Sequence, residues 1–67
     1  MSVAKVIEIS ASSHEGFDDA IRKGLIKVST TVSGMKGARM CEMKVVTTPG
    51  GAITEYRVRM HVSFVVE

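Results

Sequence analysis

The sequence predicts a small α+β domain of order β-α-β-β, in which a three-stranded antiparallel sheet packs around one helix. Three observations carry this prediction. First, from Tyr56 onward the side chains alternate: Tyr56, Val58, Met60, Val62, Phe64 and Val66 share one face, and Arg57, Arg59, His61, Ser63, Val65 and Glu67 share the other. A period of two, rich in β-branched and aromatic residues, marks a half-buried strand. Second, Phe17, Ala20, Ile21, Leu25, Val28 and Val32 recur at helical spacing and form one apolar stripe. Third, Pro49-Gly50-Gly51 is the strongest turn signal in the chain and joins two extended segments as a hairpin.

Val3 to Ser10 reads as the first strand, with Val3, Val6, Ile7 and Ile9 supplying β propensity. Its buried face is ambiguous, because Val6 and Ile7 are adjacent and both apolar. Ala11 to Gly16 is a polar, small-residue loop. The helix follows from Phe17 to about Val32. Asp18 and Asp19 lie in its first turn, where the helix dipole favours negative charge, and each stands four residues before a cation, Arg22 or Lys23. Its start has two readings: a capping box of Ser12 with Glu15, or a cap at Gly16 or Ser13. Gly24 within the helix costs roughly 1 kcal/mol relative to Ala. It is either a neutral surface glycine or a point of close approach by a strand or a neighbouring subunit. Val32 to Gly37 is a break punctuated by Gly34 and Gly37. Ala38 to Thr48 is the second strand and Ile53 to Glu67 the third, a long one beside the usual five or six residues or so. One helix covers one sheet face, which leaves the other to solvent, a ligand or another subunit.

At 67 residues the chain is a single domain, 1–67. A chain of this size buries only about 60% of its unfolded surface, and oligomerisation is a common remedy. The one cysteine, Cys41, has no internal disulfide partner; a structural, at least half-buried thiol in a reduced, cytoplasmic setting is expected. Met1 to Ser10 carries Lys5 and Glu8 and offers no apolar core for a signal peptide. No apolar run approaches the ~20 residues of a membrane span. A net charge of +2, with one Tyr and two Phe, is a weak basis for nucleic-acid binding.

The chain contains no Gly-rich phosphate loop, EF-hand loop or nucleophile elbow. Asp18 and Asp19 point in different directions on a helix and suit its dipole better than acid–base chemistry. His14 and His61 lack neighbouring ligands for a metal, and Met40, Met43 and Met60 read as packing residues. An enzyme is not expected. Arg57, Arg59 and His61 in a row have two readings. One is a polar face with ion pairs to Glu55, Glu42 or Glu67. The other is an anion-binding surface, made stronger where symmetry brings several copies together.

This ensemble resembles the dodecin family. Ala4-Lys5-Val6-Ile7-Glu8-Ile9-Ser10 is similar to the family's first strand. Ser12-Ser13 and Phe17-Asp18-Asp19-Ala20-Ile21 are similar to its loop and helix start. Thr54-Glu55-Tyr56-Arg57-Val58 and Val62-Ser63-Phe64 are similar to its last strand. The resemblance implies a sheet curled around the helix, a hollow homododecamer and a non-enzymatic role in storing flavin (FMN, riboflavin or FAD). It places the ligand against Arg39 and Arg57; with Arg59 from the cationic strand face and Tyr56 as a stacking platform, these are the candidate cofactor-binding residues. Two departures matter: the family's stacking Trp aligns with Arg39, and its ring-edge Gln with Arg57. An Arg can itself stack flat and donate in a fork, but losing an aromatic platform removes about 1–3 kcal/mol. Flavin binding is therefore expected to be weakened. The alternative is a flavin-free structural assembly that binds calcium or phosphate at subunit interfaces; no local motif marks a metal site.

Overall fold

The computed structural model describes residues 3–66. In chain order, β1 (Val3–Ser13) is followed by α1 (Phe17–Ser29), β2 (Met35–Thr47) and β3 (Ile53–Val66). The sheet is antiparallel with strand order β1-β3-β2. The longest strand is thus the central one. Its alternation is as expected: Val58, Met60 and Val62 are buried against α1, whereas Arg57 and Arg59 are exposed. Glu67, assigned from sequence to the outer face, lies outside the described residues.

The elements differ from the sequence expectation at their ends, each time for an identifiable reason. β1 runs on through Ala11 to Ser13, where a loop was expected, with Ala11 paired to Val58, Ser12 to Arg57 and Ser13 to Tyr56. These residues have weak strand preference; the ladder offered by β3 satisfies their backbone groups and extends the strand. α1 stops at Ser29 rather than near Val32. The hydroxyls of Ser29, Thr30 and Thr31 donate to the carbonyls of Ile26, Lys27 and Val28 at 2.6, 2.6 and 3.2 Å. These local bonds satisfy the last carbonyls and let the helix end. β2 begins at Met35, so Gly37 belongs to the strand and not to the break.

At its start, α1 has Gly16 as the N-cap residue with no side-chain cap bond, so the Ser12–Glu15 capping box does not form. Instead the Ser13 hydroxyl accepts from the Glu15 N–H at 2.9 Å and donates to Asp19 Oδ2 at 2.5 Å. Asp19 also pairs with Lys23 at 3.0 Å. The end of β1 is thereby tied to the first turn of the helix.

The core comprises Ala20, Val58, Met60 and Val62, surrounded by Ile7, Ile9, Ala11, Phe17, Ile21, Leu25, Val28, Met35 and Met40. The ambiguity in β1 is resolved: Ile7 and Ile9 face the helix, and Val6 is 61% exposed. Gly24 is a close-approach glycine. A Cβ there would lie 2.9 Å from Met60 Cε and 3.0 Å from Ala11 Cβ. The helix reaches β1 and β3 but leaves the hairpin half of β2 bare. Met43 and Val45, paired with Val58 and Tyr56, are 49% and 39% exposed. Met43 is therefore not a packing residue within one chain, and Cys41 is exposed rather than buried. The first follows from a single helix being too narrow to cover a three-stranded sheet; the second places the thiol in the irregular stretch between Met40 and Glu42, outside the regular ladder.

Candidate functional site

The sheet face turned away from α1 carries a dense cluster of charged side chains: Glu8, Arg39, Glu42, Lys44, Glu55, Arg57 and Arg59. Because β3 is central, each of its outward residues stands between a partner on β1 and one on β2. The resulting rows are Val6–Ser63–Gly37, Glu8–His61–Arg39, Ser10–Arg59–Glu42 and Ser12–Arg57–Lys44. Adjacent strands lie about 4.8 Å apart, so each row spans roughly 10 Å.

Ion pairs knit the middle of this grid. Arg59 reaches Glu8 at 3.5 Å and Glu42 at 3.8 Å. Arg57 is hydrogen-bonded to Glu55. His61 Nε2 lies 3.7 Å from Glu8 Oε2, and Arg39 Nη2 lies 3.2 Å from His61 Nδ1. Lys44 forms no ion pair among the described residues. These groups are largely exposed, so the pairs organise the face more than they stabilise the fold. The hydrogen bond from Arg57 holds the Glu55 carboxyl below its ordinary value.

Two grooves open on this face. One of about 490 Å³ is lined by Ser10, Ser12, Glu42, Lys44, Glu55, Arg57 and Arg59, among others. The other, of about 300 Å³, is lined by Val6, Gly37, Ala38, Arg39, His61 and Ser63. Arg57 and Arg59 therefore share a groove, and Arg39 lines a different one within the same chain. Tyr56 is not on this face. It packs edge-on against Phe17, with ring centroids 5.2 Å apart and planes at 77°. Among the described residues no Phe or Tyr ring stands on the outer face, which leaves the Arg39 guanidinium and the His61 imidazole as the planar groups of their groove. His14 Nδ1 is 2.9 Å from the Thr54 carbonyl, a bond in which the imidazole is the donor. No group of three His, Cys, Asp or Glu side chains among the described residues can hold a metal ion.

Sequence reading left two contributors to this face unassigned, Glu8 and Lys44. Glu8 was signalled by its place between Ile7 and Ile9, once those two are taken as the buried pair. Lys44 was hidden by the bulge between Met40 and Glu42, where Cys41 interrupts the alternation.

No helix among the described residues is long and apolar enough to cross a membrane. A search of curated proteins finds no match. Among solved structures, the chain is similar to an arginine-to-alanine variant of the Thermus thermophilus dodecin, with 27% identity, a TM-score of 0.91 and coverage of 100% of this chain and 98% of that one. It is similar to the dodecin from Streptomyces davaonensis, with 29% identity, a TM-score of 0.90 and coverage of 98% and 96%. It is also similar to the calcium dodecin of Mycobacterium tuberculosis, described as a calcium chelating immunodominant antigen with a novel calcium-binding site. Here the identity is 28%, the TM-score 0.81 and the coverage 97% and 91%. The family model for dodecin matches residues 3–67, which takes in every strand and the helix. With that match and the shared fold, the chain belongs to the dodecin family.

Proposed function

We propose that this chain is a non-enzymatic, cytoplasmic binding protein that assembles into a homo-oligomer, a dodecameric cage, and holds a small anionic ligand on its outer sheet face. The observation that carries the ligand reading is the charge of that face. Arg39, Lys44, Arg57 and Arg59 stand there against Glu8, Glu42 and Glu55, with His61 among them. The surplus is cationic, and copies related by symmetry would bring several such stripes together.

The donor set suits one end of a flavin better than the other. Guanidinium and ammonium groups match the phosphate of FMN and the carbonyl edge of its ring. The ring itself has no Phe, Tyr or Trp partner on this face, among the described residues. Absence of a stacked ring removes about 1–3 kcal/mol, a factor of roughly ten to a hundred in affinity. FMN is therefore expected to bind more tightly than riboflavin, and both more weakly than in a Trp-bearing site. Fluorescence titration of both flavins against the purified protein tests this. Quenching of FMN at lower protein concentration than riboflavin is the expected result. Equal affinity for the two would overturn the phosphate-led reading, and two unquenched flavins would remove flavin as the cargo.

The second reading is a flavin-free assembly that binds calcium or phosphate between subunits. It is favoured by the same missing ring and by the likeness to a calcium dodecin. A calcium ion takes six to eight oxygen ligands or so. Among the described residues of one chain no suitable cluster forms, so such a site would draw on more than one copy. Thermal stability that rises with calcium, in a protein that ignores flavin, is the result that selects this reading.

A further inference from the structure

We infer that His61 is a positioning residue for Arg39, and that its protonation frees the Arg39 guanidinium and makes the groove between them a stronger oxyanion site. This rests on the proposal that the outer face binds a ligand, and adds to it a means of regulation.

The argument begins with donors and acceptors. A guanidinium has five N–H donors and no acceptor. In the 3.2 Å contact between Arg39 Nη2 and His61 Nδ1, the imidazole must therefore accept. His61 is then neutral, with its proton on Nε2, and that nitrogen faces Glu8 Oε2 at 3.7 Å. One tautomer suits both neighbours: the protonated Nε2 lies on the Glu8 side at ion-pair rather than hydrogen-bond distance, and the Nδ1 lone pair receives the guanidinium. Arg39 is held across the strands in the row Glu8–His61–Arg39.

A proton taken from water onto Nδ1 removes that lone pair. The Arg39 contact is lost, and a cation then faces a cation. The imidazolium keeps a partner, because Glu8 lies beside it. Among the described residues Arg39 forms no ion pair. The charged groups facing His61 are Glu8 on β1, Arg39 on β2 and Arg59 two residues away on β3. Arg59 already draws on Glu8 and Glu42. Helix α1 lies on the opposite face and supplies no charge here. The released guanidinium and the new imidazolium both line a groove of about 300 Å³ whose other walls are Val6, Gly37, Ala38 and Ser63. An oxyanion entering it neutralises both. Histidine changes charge between about pH 5 and 8, so the gain lies on the acid side of that range.

The test has a ligand-free arm and a ligand arm. In the first, the His61 ring nitrogens and the Arg39 side-chain signals are followed by NMR on the full chain from about pH 8 to about pH 5.5. The expected result is the Nε2–H tautomer at the alkaline end, with Arg39 signals that move at the same midpoint as His61. The Nδ1–H tautomer, or Arg39 signals that ignore the His61 titration, would overturn the inference. In the second arm the probe is sulfate, whose charge is constant over this range. Binding is expected to be roughly tenfold tighter at the acid end, and independent of pH in His61→Gln, which keeps an acceptor but does not titrate. If His61→Gln does not fold, Arg39→Gln is to remove the same pH response. Sulfate bound equally at both ends would overturn the switch and leave the ligand reading standing. No sulfate binding at either end, with the NMR result as expected, would overturn the oxyanion site and the ligand reading together.

Discussion

At the scale of single residues, Gly24 shows how packing can outweigh propensity. Alanine there would gain roughly 1 kcal/mol of helix propensity. Its Cβ, however, would sit 2.9 Å from Met60 Cε and 3.0 Å from Ala11 Cβ. The Met60 methyl is the tip of a flexible chain, but that chain is fully buried and has little room to retreat. Overpacking costs about 1–3 kcal/mol. Gly24→Ala is therefore expected to be destabilising by about 1 kcal/mol net, read as a lower urea midpoint; an unchanged or raised midpoint would show that Met60 repacks. The sequence showed an unusual helical glycine and left two explanations open. It did not name Met60, because the contact joins residues far apart in the chain. The same holds for Arg39 and His61, which only strand register brings into contact.

At the scale of elements, the junction of β1 and α1 depends on Asp19. Its carboxyl is held below the ordinary value, first by the Ser13 hydroxyl and then by Lys23, whose own pKa is raised in return. Glu55 is lowered in the same way by Arg57. The sign follows from linkage. Each carboxyl is more acidic folded than unfolded, so the unfolded chain binds more protons as pH falls through the carboxylate range. The stability these groups contribute is present above their ordinary values and is lost as pH drops through the lowered ones. Asp19→Asn is expected to flatten the acid limb of a plot of urea midpoint against pH between about 5 and 2. It is to leave the plot near neutrality with the same slope as the parent. An acid limb as steep as the parent's would mean that other groups set it. Element identity was legible from local signals, namely the period of two, the period of helix and the Pro-Gly-Gly turn. Element ends were not, because β3 extends β1 by pairing and three hydroxyls end α1.

At the scale of the whole molecule, one chain is an incomplete shape. It measures 54 × 19 × 13 Å, with a radius of gyration of 14.0 Å. A compact domain of this length would have about 11 Å. The hairpin extends beyond the helix and bares Met43 and Val45, while Val3, Val6, Ile26 and Ile53 are also exposed. So much apolar surface on so small a core favours burial against further copies. The double substitution Met43→Glu and Val45→Glu is expected to reduce the mass seen by light scattering while the helix and sheet signals in circular dichroism persist. An undiminished oligomer would place the contacts elsewhere, and a parent chain that is monomeric at micromolar concentration would overturn the cage.

By itself, the sequence determined the order of elements, the buried face of β3, the apolar stripe of the helix and the family resemblance. Each of these is written in spacing along the chain, where near neighbours are decided by local periodicity. The tertiary structure alone decided that β3 is central, that Ile7 rather than Val6 is turned inward, that Glu8, His61 and Arg39 form one row, and that Tyr56 meets Phe17. Those facts depend on register and on the bulge at Cys41, where one extra residue shifts the face of everything beyond it.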